Sequence, residues 1–488
     1  MGILEHLEPQ KVFYFFEEIC QIPHGSGNVE AISDYLKHFA VERGLNVIQD
    51  ELKNIIIIKE ATPGYEEEET VILQGHMDMV AVSKPQLSID MTKEPLKLMV
   101  DGDNLYAEGT SLGGDDGIAV AYALAILDDD SLKHPRLEVV ITVDEETGMD
   151  GARGIDLSML QGKRLLNLDS EEEGIFWTSC AGGVRVKCKK ELTCETMKGL
   201  HYEITLGGLQ GGHSGAEIHK ERGNANNLAG RLLWKLVSAK LDVGLIKCVG
   251  GVADNAICRE TKIEIIVNAK EAGEVESLLM TLEQEIQIEL KGKDNDFALT
   301  YVKGDEITAS CVSNTCKDTG IIAAFLMSVP SGVQAMSAHI PELVETSLNL
   351  GVLRIDAQNY EFCADFSVRS SIESSKWALV EQLKAIAWLS DIEVQCTGDY
   401  PGWPYRVDSP LRDKMIAIYE RMYGEKPGVK AIHAGLECGL LADKIKDLDC
   451  VSFGPNMANI HTTEETLSIS SVKRVWDYLI ALLEEKDK

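Results

Sequence analysis

Nowhere in these 488 residues does an apolar run approach the ~18 residues that a membrane-spanning helix needs. A membrane protein is not expected. Basic charge is scarce as well, since 47 Lys and Arg face 79 Asp and Glu for a formal net charge of −32. Nucleic acid and anionic membrane would both be repelled by that mean field, so neither is expected as a partner. The twelve cysteines include no CxxC pair, and a chain of this length needs no disulfide staples. Reduced thiols in a cytoplasmic protein are expected, with none assigned to a metal. The opening MGILEHLEPQ has no basic segment followed by an apolar core, and His6 stands where a myristoylation signal wants Ser or Thr.

What is present is a globular composition, 44% hydrophobic and 26% charged, in a chain too long for one ordinary core. Up to about residue 180 helical and strand patterns alternate: a helix from Ser26-Gly27-Asn28 to Gly44, strands NIIIIKE and VILQGHMD, a buried helix IAVAYALAIL, then strands LEVVITV and RLLNLD. That alternation predicts an α/β layer with a mostly parallel sheet covered by helices. From 184 to 398 the order becomes β-α-β-β-α-β, from YEITLGG to FALTYVKG, and recurs less clearly from a helix at 318–328 to DIEVQCTG. Two split β-α-β halves are expected there, as an inserted α+β domain. The segment 399–488 shows one clear strand, DCVSFG, and two helices, too little for its own core, so it is expected to complete the domain begun by residues 1–183.

The chemistry sits at the strand ends of the two outer segments. VILQ runs into Gly75-His76-Met77-Asp78, LEVVITV into Asp144-Glu145-Glu146, RLLNL into Asp169, and DCVSFG into a loop ending at His461. GTSLGGDDGIAVA adds Asp115 and Asp116 ahead of a buried helix. Ligands of open α/β sheets bind beyond the carboxyl ends of strands, so these groups are expected to share one crevice. Taken singly, each has a plainer reading. His76 is equally a hydrogen-bonded core histidine, Asp115 and Asp116 a turn and helix cap, DEETG an acidic hairpin, LDSEEEG a turn, His461 a helix start. Together they point to metal. Converging carboxylates without a counter-ion would be forced to hold protons, whereas two dications against Asp115, Glu146 and Asp169 leave one net positive charge. Imidazole and carboxylate donors suit zinc, with manganese or cobalt as alternatives. Asp78, on the same strand face as His76, is placed to accept the imidazole N–H.

These motifs, GHMDMV, GTSLGGDDGIAVA, VDEETGMDGA, LLNLDSEEEG and the late His461, resemble the co-catalytic zinc metallopeptidases that include aminoacylase, peptidase T and carnosinase. GLQGGHSGAEIHKERGNANNL, HAGLECGLL and SFGPNMANIHTTEE resemble the subgroup of bacterial aminoacyl-histidine dipeptidases. The resemblance implies a dipeptidase for unmodified dipeptides, including Xaa-His types such as carnosine, working through a water activated by two zinc ions. It implies that Asp115 bridges the metals, His76 and Asp169 completing one and Glu146 and His461 the other. It further implies Glu145 as general base, Asp78 as the orienter of His76, and a non-proline cis peptide at Asp115-Asp116. His213 would donate to the oxyanion from an inserted lid domain. Asn255, Arg369, Gly435 and Glu437 would contact substrate, Arg369 at the free carboxylate. Homodimerisation through the inserted domain is open, as is whether His213 acts in cis or in trans. Two alternatives share the metal core: a deacylase of N-acyl amino acids and a non-catalytic metal-binding homologue.

Overall fold

A computed structural model describes residues 2–313 and 317–487 of the chain. It comprises two compact units, Met1–Ser179 with Tyr405–Ala431 and Leu436–Lys488, and Cys180–Pro404 with Ile432–Gly435.

The first unit is built on an eight-stranded sheet in the order Asn46–Gln49, Ile55–Lys59, Leu137–Thr142, Val71–His76, Arg164–Asn167, Asp449–Ser452, Ile175–Cys180, Gly428–Ile432. Parallel pairing is found at its centre, where Val71–His76 lies between Leu137–Thr142 and Arg164–Asn167, and Arg164–Asn167 pairs onward with Asp449–Ser452. The expectation of a mostly parallel sheet therefore holds for the middle, while the flanks are antiparallel. The reason at one edge is local: Asn46–Gln49 and Ile55–Lys59 are joined by a tight turn in which Asn54 carries hydrogen bonds to Asp50, and so short a connection permits only antiparallel neighbours. Every residue of Val71–His76 and of Leu137–Thr142 is buried, as befits strands covered on both faces. The helix Gly114–Leu127 is buried along its whole length and, beyond Asp115 and Asp116 in its first turn, almost wholly apolar, the pattern of a core helix. Around it packs one continuous core that includes Phe13, Phe16, Ile19, Leu73 and Ile141 from the first segment and Leu411, Val472 and Leu479 from the last. The closing segment is richer than its sequence suggests. Besides the helices Pro410–Tyr423 and Ile469–Glu484 it forms the helix Glu437–Lys444 and short strands at Gly428–Ile432, Met457–Ala458 and Thr466–Ser468.

The second unit carries a nine-stranded antiparallel sheet. Four strands, Ala298–Ser313, Glu195–Gly207, Thr261–Val267 and Val243–Gly250, pair in that order, which is the arrangement of a split β-α-β fold with helices Ala225–Ser238 and Ala272–Glu289 as its crossovers. Glu393–Tyr400, Gly182–Glu191, Glu361–Ser370 and Val344–Asp356 repeat the arrangement. Val243–Gly250 and Val344–Asp356 then join the two halves edge to edge. The second half reads poorly in sequence because its first strand, Gly182–Glu191, precedes the whole of the first half. The helix expected at 318–328 is present as Lys317–Ser328.

Candidate metal centre

The strand Val71–His76 delivers His76 to the carboxyl edge of the sheet, where its main-chain N–H donates to Asp116 Oδ2 at 3.1 Å. Its ring is fixed from both ends: Nδ1 lies 2.9 Å from the Asp78 carbonyl oxygen, and Nε2 lies 3.2 Å from Asp115 Oδ1 and 3.8 Å from Asp169 Oδ1. The nearer partner of Nδ1 is thus the main chain of Asp78, whose carboxylate Oδ1 stands at 3.5 Å. That carboxylate accepts instead from Ser26 Oγ at 2.7 Å and from the Glu145 N–H at 3.1 Å, tying His76 to the start of the Glu145–Gly148 turn.

Asp115 occupies a kink at the head of the buried helix, with φ −82° and ψ 102°, and its peptide bond to Asp116 is cis. The loop before it is held by a buried carboxylate: Glu465 accepts from the N–H groups of Leu112, Gly113 and Gly114 at 2.8, 3.2 and 2.8 Å. Asp115 Oδ2 reaches His461 Nε2 at 3.1 Å, and the same nitrogen is 2.9 Å from Glu146 Oε1. His461 itself adopts a left-handed φ of 62°, which turns its ring back from an exposed loop. One aspartate therefore faces two donor groups, His76 with Asp169 on one oxygen and His461 with Glu146 on the other. Clusters of ligand-type atoms comprise Asp115, Glu146 and His461; His76, Glu145 and Glu146; and His76, Asp116 and Asp169.

The electrostatics of this cluster fit a cation. Desolvation pushes Asp116, which is buried, and Asp169 well above the usual carboxylate range, Asp169 also through the Asp116 charge. Burial, then Glu437, Glu146 and Asp115, push Glu145 up to about 8 against the opposing pull of His76. Burial opposes charging His76, yet Asp115 and Asp78 hold its pKa well above the ordinary imidazole value; Asp115 and Glu146 lift His461 to about 10. Protons are thus made to do the work of positive charge. Dications would do it better, and the donor set of imidazole nitrogens and carboxylate oxygens is that of zinc and its neighbours.

A second layer lies behind the ligand atoms. Glu437 is fully buried; its Oε2 accepts from Gln74 Nε2 at 2.6 Å and Thr142 Oγ1 at 2.7 Å, and burial raises it to about 7. Gln74 in turn accepts from Asn167 Nδ2 at 2.6 Å. Glu437, expected as a substrate contact, has a carboxylate that joins the strands carrying Gln74 and Thr142. Asp116 stands in the motif that also holds Asp115, whereas no role was expected for Glu465, Gln74 or Thr142. The burial of Asp116 and Glu465 is a tertiary property.

The remaining candidates stand in the second unit. His213 Nδ1 accepts from the N–H groups of Gly215 and Ala216 at 3.3 and 3.0 Å, so the neutral ring carries its proton on Nε2. Burial and the Arg369 charge keep that ring neutral by lowering its pKa. Asn255 lies in a loop whose flanking carbonyls, Asp254 and Ala256, both accept from the buried Asn349 side chain at 2.9 Å, and its own carbonyl accepts from Ser214 N–H at 2.8 Å. Arg369 is 8% exposed and donates from Nη1 to the Tyr400 hydroxyl at 3.0 Å. Gly435 abuts the same ring; a Cβ there would come within 2.9 Å of it.

Residues 72–485 match the family model for peptidase family M20/M25/M40. The chain is 38% identical over 488 residues to the cytosol non-specific dipeptidase of Escherichia coli, covering 99% of each. It superposes on the crystal structure of aminoacylhistidine dipeptidase from Vibrio alginolyticus with a TM-score of 0.93, at 36% identity and 99% coverage of both chains. At 15% identity the aminopeptidase PepT of Bacillus cereus shares the fold, with a TM-score of 0.56 over 98% of each chain. The chain belongs to peptidase family M20/M25/M40 and is a metallopeptidase.

Proposed function

We propose that this protein is a zinc-dependent dipeptidase of the cytoplasm that hydrolyses unmodified dipeptides, Xaa-His dipeptides such as carnosine among them. The observation that carries the reading is the position of Asp115, one oxygen against His76 and the other against His461. The names and full-length similarity of the Escherichia coli and Vibrio relatives support the substrate class. Asp115 would bridge two cations, His76 and Asp169 completing one site, Glu146 and His461 the other. Bound there, such a pair supplies Lewis-acid polarisation of the scissile carbonyl and lowers the pKa of a water.

The chain's own groups do the rest. Glu145 accepts the proton of the attacking water and later delivers it to the departing amine, a role suited to a carboxyl whose proton affinity is raised by burial. Its backbone is held for this by Asp78. His213, with its proton on Nε2, is the neutral donor assigned to the developing oxyanion. Arg369 takes the free carboxylate of the dipeptide, with Asn255 and Gly435 shaping the same unit's contacts. Glu437 keeps the strand ends in register behind the ligands. Homodimerisation through the segment 184–398 belongs to this reading, His213 acting within one chain or across two.

The test is hydrolysis of a dipeptide panel and of N-acetyl amino acids by purified protein, after chelation and after zinc restoration. Turnover of dipeptides that disappears with chelator and returns with zinc is expected. Faster cleavage of N-acetyl amino acids would make the protein a deacylase, and zinc binding without hydrolysis of either set would make it a non-catalytic homologue.

A further inference from the structure

Among the described residues of the second unit, three buried polar atoms have no hydrogen-bond partner: Arg369 Nε, His433 Nδ1 and Ser214 Oγ. Their residues are 8, 6 and 1% exposed. They are neighbours. Ser347 stands directly opposite Arg369 across the antiparallel pair of Val344–Asp356 and Glu361–Ser370, and its Oγ lies 2.7 Å from His433 Nε2. Gly215, next to Ser214, backs onto the His433 carbonyl so closely that a Cβ would meet it at 2.5 Å. Buried polar atoms are nearly always satisfied within a fold, so a group left open together argues that something outside the chain completes it.

The character of the group defines what that is. Arg369 contributes a fixed positive charge whose Nη1 donates to Tyr400 and whose Nε is free to donate to an anion. The His433 ring is neutral, held so by burial and by the Arg369 charge, with the Val344 carbonyl acting on the ring but forming no hydrogen bond to Nδ1. A neutral histidine adds a directed hydrogen bond where a second cation would add only charge. If the Ser347 hydroxyl donates to Nε2, the ring proton resides on Nδ1.

We infer that His433 is a second recognition residue for the free carboxylate of the substrate, its Nδ1–H donating beside Arg369 and its tautomer set by Ser347. This rests on the dipeptidase reading and deepens it. His433 would favour a free carboxylate, which is charged and accepts on both oxygens, over a terminal amide, which is neutral and replaces one acceptor oxygen by a donor NH2. Ser347 is a positioning residue that acts through the ring.

The test uses the full-length, zinc-loaded protein and a dipeptide that the wild type cleaves, with that dipeptide's C-terminal amide as substrate or competitive inhibitor. His433→Leu is expected to raise KM for the free dipeptide about 10- to 100-fold, the worth of one hydrogen bond to a charged group, and to change KM or KI of the amide less than threefold. His433→Asn, which keeps an N–H near the Nδ1 position, is expected to recover most of the loss, and Ser347→Ala to give a smaller shift in the same direction. Metal content stays at the wild-type level throughout. An unchanged KM, or an equal rise for acid and amide, overturns the inference. If His433→Leu fails to fold, Ser347→Ala and His433→Asn carry the same comparison. If the wild type cleaves no dipeptide, the dipeptidase reading falls by itself, and titration with an N-acetyl amino acid and its amide still reads the pocket: equal affinities overturn the role of His433.

Discussion

Asp115 Oδ2 lies 3.1 Å from His461 Nε2 although 346 positions separate them along the chain. The contact joins the head of the buried helix to the loop between the strands Met457–Ala458 and Thr466–Ser468. Because the other oxygen of Asp115 faces His76, this one carboxylate links both donor groups.

Asp115→Asn removes the charge that both cations would share while keeping the shape. Zinc content measured by mass spectrometry is expected to fall from about two per chain to below one, with turnover lost in parallel. Two tightly held zinc ions in this variant would refute the bridging role.

Glu145→Gln keeps the size of the side chain and leaves the Asp78 contact to its N–H intact. Metal content is expected to stay at the wild-type level and kcat to drop by roughly 10²–10⁴. A variant within a factor of about three of wild type would take the proton-transfer role away from Glu145.

Glu465→Ala strands the N–H groups of Leu112, Gly113 and Gly114, now satisfied by one buried carboxylate. A loss of roughly 3 kcal/mol is expected in denaturant titration, accompanied by weaker metal binding, since the same loop carries Asp115. Glu465→Gln, which keeps one acceptor, should lose less. Stability equal to wild type in both would show that water replaces the carboxylate.

His433 supplies a pH dependence with a definite sign. Its pKa is lowered to about 3 in the folded protein, by burial first and then by Arg369, against about 6.5 when unfolded. Between those values the unfolded chain binds the proton and the folded one does not. The contribution is therefore fully present above about 6.5 and is lost as pH falls toward 3, at up to about 1.4 kcal/mol for each pH unit. His433→Asn should flatten that part of the stability profile. A profile between pH 6.5 and 4 identical to wild type would mean that the ring charges without cost.

On the proposed reading, chelation takes away the cations that would balance the carboxylates of the first unit. The melting temperature is expected to fall on treatment with chelator and to rise with zinc concentration, as mass action requires of any ligand that binds only the folded state. A melting temperature indifferent to zinc would argue against ligation at this cluster.

Much of this was legible in the chain. The strands LEVVITV and VILQ and the helix IAVAYALAIL announce themselves by composition, and residues just past a strand end in an α/β layer face a common edge. Other features were illegible for physical reasons. Asp78 was expected to meet His76 through its carboxylate, which stands 3.5 Å from Nδ1, while the nearer approach of its main-chain carbonyl, at 2.9 Å, is a matter of backbone geometry. Glu437 was expected as a substrate contact, and only the tertiary fold shows it fully buried with its carboxylate bonded to Gln74 and Thr142 of two neighbouring strands. The antiparallel flanks of the first sheet depend on pairing choices that periodicity does not encode.

From its sequence alone this protein was bound to be an acidic, two-part α/β chain with imidazoles and carboxylates at strand termini, because local patterning and residue chemistry act over a few positions. Tertiary structure alone decided which of those groups meet, that Asp115 faces both His76 and His461, and that Arg369, Ser347 and His433 gather in the second unit. Such contacts span tens to hundreds of residues, and their energy exists only once the intervening chain has folded.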